Sequence, residues 1–332
     1  MDVFRAHELI PLTLEPNLVD SGSARRLLVV ALDELGSLGV AELERLSAWM
    51  QVQPIPIIGL GPINGSPLVS GVDLIVEDSQ DLQHIARKID KNPQAAAILV
   101  QVLRSTLGIS ISQGLVLESL AYATLQGGEE FAMWLKGYRA INRDKVTRAE
   151  REHPVVLDRR GDRLDIVLNS PADRNALSIF MRDALTEAFK LVAVDGCITT
   201  VNVSANGPCF CAGGDLSEFG TVEDLSLSHQ VRMLRMPAQY LAPHAERYAF
   251  HVHRACIGAG IEMPAFARRL TATPDTVFQL PEVNMGLLPG AGGCVSIPRR
   301  IGRHRTAYLA ILGEPIGADL ALDWGLIDSI ED

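Results

Sequence analysis

Two glutamates stand in stretches suited to close approach of the backbone. Glu262 lies in "CIGAGIEMPAF" (residues 256–266), where small residues fill four of the first five positions. Glu282 follows a proline in "FQLPEVNMGLLPGAGG" (278–293). Gly258, Ala259 and Gly260 let another group come near the chain. If a strand ends and a helix begins there, the first N–H groups have no intrahelical acceptors. They can then receive a developing negative charge. A further glycine-rich stretch, "GPCFCAGGDLSEF" (207–219), can supply a second backbone N–H. Two carboxyl groups beside two such loops are the parts needed to polarise a carbonyl and move protons next to it. Glu262 alone would read as an ordinary first-turn glutamate favouring the helix dipole; the combination carries the chemistry.

The elements that must hold these residues follow from periodicity. "RLDIVLN", "ITTVNVSAN", "YAFHVHRA" and "TVFQLPEV" read as strands, and "NALSIFMRDALTEAFKLVAVD" as an amphipathic helix, with further helix from about Ser296 to Trp324. Alternating strands and helices predict an α/β fold with parallel pairing and crossover helices. Upstream, "RLLVVALDEL" and "IPIIGLG" read as strands. "VAELERLSAWMQ", "DLQHIARKIDKN" and "AAAILVQVLRST" read as helices, followed by one long or two short helices in "LVLESLAYATLQGGEEFAMWLKGYRA". The chain divides within the charged stretch 139–163, whose density of charge and lack of apolar period predict a surface linker.

Composition excludes several classes. With 332 residues, 47% of them hydrophobic, the chain can bury a large core. A net charge of -10 argues against a nucleic-acid partner, whose non-specific binding needs a basic surface. No apolar run is long enough to span a bilayer, and the start lacks a basic segment followed by an apolar one, so no membrane association and a cytoplasmic location are expected. Cys197, Cys209, Cys211, Cys256 and Cys294 lack the paired spacing of a zinc site and read as buried thiols, so no metal is expected. His251 and His253 alternate on a strand and read as packing residues; Met233 and Met236 read as pocket or core residues in the segment 221–248.

Taken in order, "SPADRNALS", "NGPCFCAGGDLSEF", "RACIGAGIE", "FQLPEVNMGLLPGAGGCVSIPRRIG" and "GEPIGADLALDWGLID" resemble the successive motifs of the enoyl-CoA hydratase/isomerase (crotonase) superfamily over roughly residues 155–330. The resemblance implies a crotonase-like spiral ββα core and an acyl-CoA thioester as ligand, with no separate cofactor. Carried over by position, it implies Glu262 and Glu282 as the catalytic acids and bases, and backbone N–H groups of Ala212 and Ala259 as the oxyanion hole. Arg174, Ala176, Gly213, Gly214 and Asp215 fall on the substrate-binding motifs, with Arg174 near the CoA phosphates and Asp215 also a helix cap. Both acids together imply an enoyl-CoA hydratase. An isomerase, a thioester hydrolase and a non-catalytic acyl-CoA-binding subunit are the alternatives. Pro264 departs from the family and is expected to distort the helix without displacing Glu262.

Residues 72–140 resemble the helical tail that follows the core in this superfamily, including "NPQAAA" and "LES…EEFAMWL". The expected organisation is a degenerate α/β segment (1–71), a tail-like helical region (72–140), a linker (141–154) and the catalytic core (155–332), in a permuted or degenerate-tandem arrangement, with an unrelated helical domain over 72–140 as the alternative. Because family members self-associate through these helices, a homotrimer or dimer of trimers is expected.

Overall fold

The computed structural model describes residues 2–14, 25–33, 38–62, 66–141 and 153–331. The chain opens on a parallel sheet of β1 (Val3–Phe4), β2 (Leu28–Ala31), β3 (Ile57–Leu60) and β4 (Leu74–Val76), in sequence order, accompanied by helices α1 (Ala6–Leu9) and α2 (Val40–Gln51). All four residues of β2 are buried, as in a strand covered on both faces. Alternation then splits them. Leu28 and Val30 join Leu46 and Met50 of α2 in a small core, while Val29 turns the other way into the main core.

Four helices follow: α3 (Ser79–Lys91), α4 (Pro93–Thr106), α5 (Ile111–Gln126) and α6 (Glu129–Ile141). Their ends are specified locally. Asp78 accepts from the N–H groups of Gln80 and Asp81 at the start of α3, and Ser110 and Gln113 form a capping box on α5. Pro93 occupies the first turn of α4, where its missing N–H is no loss. Glu130 of α6 accepts from Gln94 and Ala95 N–H, so α6 caps α4 from outside.

The remainder winds as a spiral. It comprises β5 (Val155–Arg160), β6 (Arg163–Leu168), α7 (Ile179–Val194), β7 (Thr200–Ala205), α8 (Leu225–Arg235), α9 (Ala238–Leu241), β8 (Tyr248–Val252), β9 (Ala255–Ile257), α10 (Ala259–Glu262), β10 (Arg269–Ala272), β11 (Val277–Gln279), α11 (Gly293–Leu312), β12 (Ile316–Gly317), α12 (Ala318–Trp324) and β13 (Ser329–Ile330). One sheet has the order β13-β10-β8-β7-β6-β5 and a smaller one β12-β11-β9. Each turn of the spiral contributes a strand to the large sheet, then a short stretch to the small one: β8 leads into β9 and β10 into β11. The 207–214 loop after β7 joins in the same way, bridging Cys211 to Cys256 and Gly214 to Leu177. These short stretches end where the next loop or helix begins, so the starts of successive turns converge.

Residues 155–160, inside the stretch predicted as charged linker, instead form edge strand β5, antiparallel to β6. Charge is compatible with that place because an edge strand faces water. The linker expected at 141–154 lies almost wholly outside the described residues. Cys197 is exposed, contrary to the expectation of a buried thiol; the other four cysteines are buried.

Helix α11 joins the two halves. Helices α4 and α5 pack along it, α5 also packs on α8, and α6 on the turn at Glu282–Met285. Just past the break at Gly302, in the middle of α11, Arg303 reaches Asp73 (3.2 Å), which also takes Arg104 (2.8 Å to Nε) and the Ile57 N–H (2.9 Å). Asp73 is 2% exposed, so this buried carboxylate pins the first sheet to α4 through Arg104 and to α11 through Arg303.

Candidate active site

Helix α10 brings Glu262 inward. Gly258, just before it, has φ +50°, and a Cβ there would collide with Oε1 of Glu282 while lying near Oε1 of Glu262. The two carboxyl groups therefore face each other across this glycine. Gly260 is needed for a different reason: its bare Cα lies against the Cys211 carbonyl, which docks the 207–214 loop on α10. Gly258→Ala is expected to lower turnover by about 10²-fold, because the displaced carboxyl no longer faces its partner. Steady-state kinetics beside an unchanged circular-dichroism spectrum would check this.

Glu262 is 2% exposed. Its Oε2 accepts from Ala291 N–H (2.6 Å) and Gly293 N–H (2.9 Å), and its carbonyl accepts from the Ser296 hydroxyl (2.7 Å). Glu118 of α5, also 2% exposed, takes the alternate N–H groups, Gly292 (2.8 Å) and Cys294 (2.9 Å). The orphan donors at the start of α11 are thus shared between two carboxyl groups. Burial raises the pKa of both, with the charge of Glu262 adding to the effect on Glu118, while Arg232 and these N–H bonds pull back. Glu282 is raised well above the usual carboxylate range, by burial and then by the charge of Glu262. Its Oε2 is buried and has no hydrogen-bond partner among the described residues.

Glu262 and Glu282 line a cavity of about 160 Å³, together with Gly214, Ala259, Tyr122 and Arg232. The Ala259 N–H, first of α10, has no acceptor among the described residues. The expectation for Ala212 is corrected: its N–H donates to the Arg174 carbonyl (3.0 Å) and is not available to a ligand. The left-handed backbone at Arg174 (φ +52°) carries that carbonyl across to it. Two residues on, the Gly213 carbonyl and the Asp215 N–H both bond Leu177, so the Gly214 N–H between them turns away from Leu177 and has no acceptor among the described residues. Gly214, assigned to substrate binding by resemblance, is therefore the available donor on this loop.

The other expected residues shape the site rather than line it. Arg174 is exposed, Ala176 and Gly213 are buried behind the loop, and Asp215 caps the turn that follows through Ser217 N–H (3.0 Å). Pro264 starts a 3-10 turn, ending α10 at four residues, yet Glu262 stays inward. His251 pairs with Thr271 and His253 with the Gly207 carbonyl. Met236 lines the cavity; Met233 instead accepts from Gln239.

Three lining or supporting residues were missed: Glu118, Tyr122 and Arg232. In "LVLESLAYATL", Leu115, Glu118, Tyr122 and Leu125 recur at helical spacing and all are buried, so Glu118 sits on the apolar face of α5. That misplaced charge was the available signal. Arg232 stacks on Tyr122, 4.0 Å from its ring centroid, and donates to the Gly290 carbonyl.

The family model described as enoyl-CoA hydratase/isomerase matches residues 163–331. The chain is 32% identical over 178 residues to "Enoyl-CoA isomerase/hydratase fer4" of Mycosarcoma maydis, covering 50% of this chain and 64% of that protein. It is 29% identical over 176 residues to the 2,3-dehydroadipyl-CoA hydratase of Escherichia coli (strain K12), covering 53% and 68%. The crystal structure of enoyl-CoA hydratase from Thermoplasma volcanium GSS1 superposes with a TM-score of 0.50 at 30% identity, over 55% of this chain and 73% of that one. With its spiral fold and this match over half its length, the chain belongs to the enoyl-CoA hydratase/isomerase family.

Proposed function

We propose that the protein adds water across the 2,3 double bond of an enoyl-CoA thioester. The observation that supports this is the pair of buried carboxyl groups, Glu262 and Glu282, facing each other beside the free N–H groups of Gly214 and Ala259. The thioester oxygen accepts from these two donors, which stabilise the charge that grows on it; one such donor is worth about 3–4 kcal/mol. Glu262 takes a proton from water as the water oxygen bonds to Cβ. Glu282 gives a proton to Cα. The two carboxyl groups then exchange one proton to reset, and the sum is substrate plus water.

The assignment of roles follows from their surroundings. Two N–H bonds favour the ionised form of Glu262, as a base requires. Glu282, whose Oε2 lacks such bonds, is raised well above the usual range and stays protonated, as an acid requires. The test is the loss of enoyl-thioester absorbance with crotonyl-CoA. No hydration of crotonyl-CoA, of longer enoyl-CoAs or of their ω-carboxy counterparts would refute the proposal.

The pH profile gives a separate check. Burial lifts Glu262 to about 7, so its basic form is lost as pH falls through that value. The kcat/KM for hydration is therefore expected to fall on the acid side with a midpoint near 7. A midpoint in the usual carboxylate range, about 4.3, would remove Glu262 as the base.

A further inference from the structure

Arg232 is a cation with an unfilled place beside the cavity. Its guanidinium stacks on Tyr122 and donates to the Gly290 carbonyl, but its Nε is buried with no acceptor among the described residues. No carboxylate forms an ion pair with it among the described residues. Buried charges are normally paired and hydrogen-bonded, because leaving water without compensation is costly. The carboxyl groups nearby do not fill the role. Glu118 gives both oxygens and Glu262 its Oε2 to the backbone of residues 291–294, so that Arg232 acts on both only through its charge, and burial keeps all three glutamates protonated further up the pH scale than usual. Elsewhere the cavity wall offers Leu177, Ile179, Phe219 and Met236 to hold methylenes; its other charged groups are already engaged, Arg182 with Asp183 and Glu218 with the Ile179 N–H. A guanidinium fork is the group best matched to a carboxylate.

We propose that the acyl group bound here ends in a carboxylate, which Arg232 receives, so that the substrate class is a short ω-carboxy acyl-CoA. The cavity, about 160 Å³, suits a short chain. The proposal rests on the acyl-CoA part of the function above and not on hydration. It gives Arg232, on the segment between β7 and β8, the task of choosing the substrate.

The test is calorimetric binding to the full chain, comparing hexanoyl-CoA with adipoyl-CoA and pentanoyl-CoA with glutaryl-CoA. The expected result is at least tenfold tighter binding of one or both carboxylate-bearing members. In Arg232→Met the ratio within each pair falls to about one, and in Arg232→Lys, which keeps the charge but not the fork, it lies between. Equal or tighter binding of the uncharged members by the unaltered protein overturns the proposal, whether or not the variants fold. So does a ratio that survives Arg232→Met. The corresponding enoyl-CoA pairs separate this from the hydratase reading. A binding preference without turnover of any of them would end the hydratase reading and leave Arg232 in place. Turnover without a preference would do the reverse.

Discussion

Glu262→Gln and Glu282→Gln are each expected to lower kcat for hydration of crotonyl-CoA by about 10²–10⁴-fold, with little change in acyl-CoA binding. Glutamine is close in shape to glutamate, so each variant tests the proton and spares the packing. In Glu262→Gln the amide oxygen can keep the Ala291 and Gly293 N–H bonds that Oε2 now accepts, leaving the turn in place while the base is gone. In Glu282→Gln the acid is replaced by an amide that has no proton of useful acidity to give. Turnover followed at the enoyl absorbance, beside calorimetric binding of a saturated acyl-CoA, separates the two effects. Near-normal turnover in either variant would end the two-carboxylate mechanism.

Glu118→Ala is expected to act from further away. It leaves the Gly292 and Cys294 N–H groups buried without partners, at about 1–3 kcal/mol each. The turn that holds Glu262 then loosens, and kcat is expected to fall by about 10²-fold with a much smaller change in KM. That result would make Glu118 a positioning residue, although it belongs to a helix outside the spiral. Glu118→Gln provides the graded control, since its amide oxygen can satisfy one of the two donors while its NH2 opposes the other. It should therefore recover part of both Tm and kcat. If Glu118→Ala keeps the original Tm and kcat, α5 is passive cover.

The contrast between Glu262 and Glu118 shows what can be read from the chain alone. Glu262 stood out because it shares a short stretch with Gly258 and Gly260, and local backbone rules act over such distances. The helix in "VAELERLSAWMQ" was legible for the same reason and runs over Val40–Gln51. Glu118 meets its partners across 174 positions, and no local pattern names them. The Ala212 assignment failed on a similar contact. The loop's small residues mark it as a donor loop, but which N–H stays free depends on the Arg174 carbonyl, 38 positions upstream by residue number. Arg232 was invisible because its significance lies in a missing acceptor, which only packing can reveal. Strand β5 was hidden because charge density marks a solvated surface and does not distinguish a linker from an edge strand.

The order of α5 and α11 along the chain has a consequence for synthesis. Glu118 leaves the ribosome 174 residues before Gly292, a wait of roughly ten to thirty-five seconds at ordinary elongation rates. During that interval Leu115, Tyr122 and Leu125 lack the α11 and 290–294 surface, and contacts of such long range are slow to form. A nascent chain is therefore chemically silent and exposes apolar surface until the glycine turn emerges. When the turn closes, Glu118 passes from water, where it is ionised at neutral pH, to a site that lifts its pKa to about 8. Completion of the fold thus takes up a proton near neutrality. The contribution of this group to stability is full below the ordinary carboxylate range and is lost as pH rises toward about 8, so alkaline conditions oppose the final docking step.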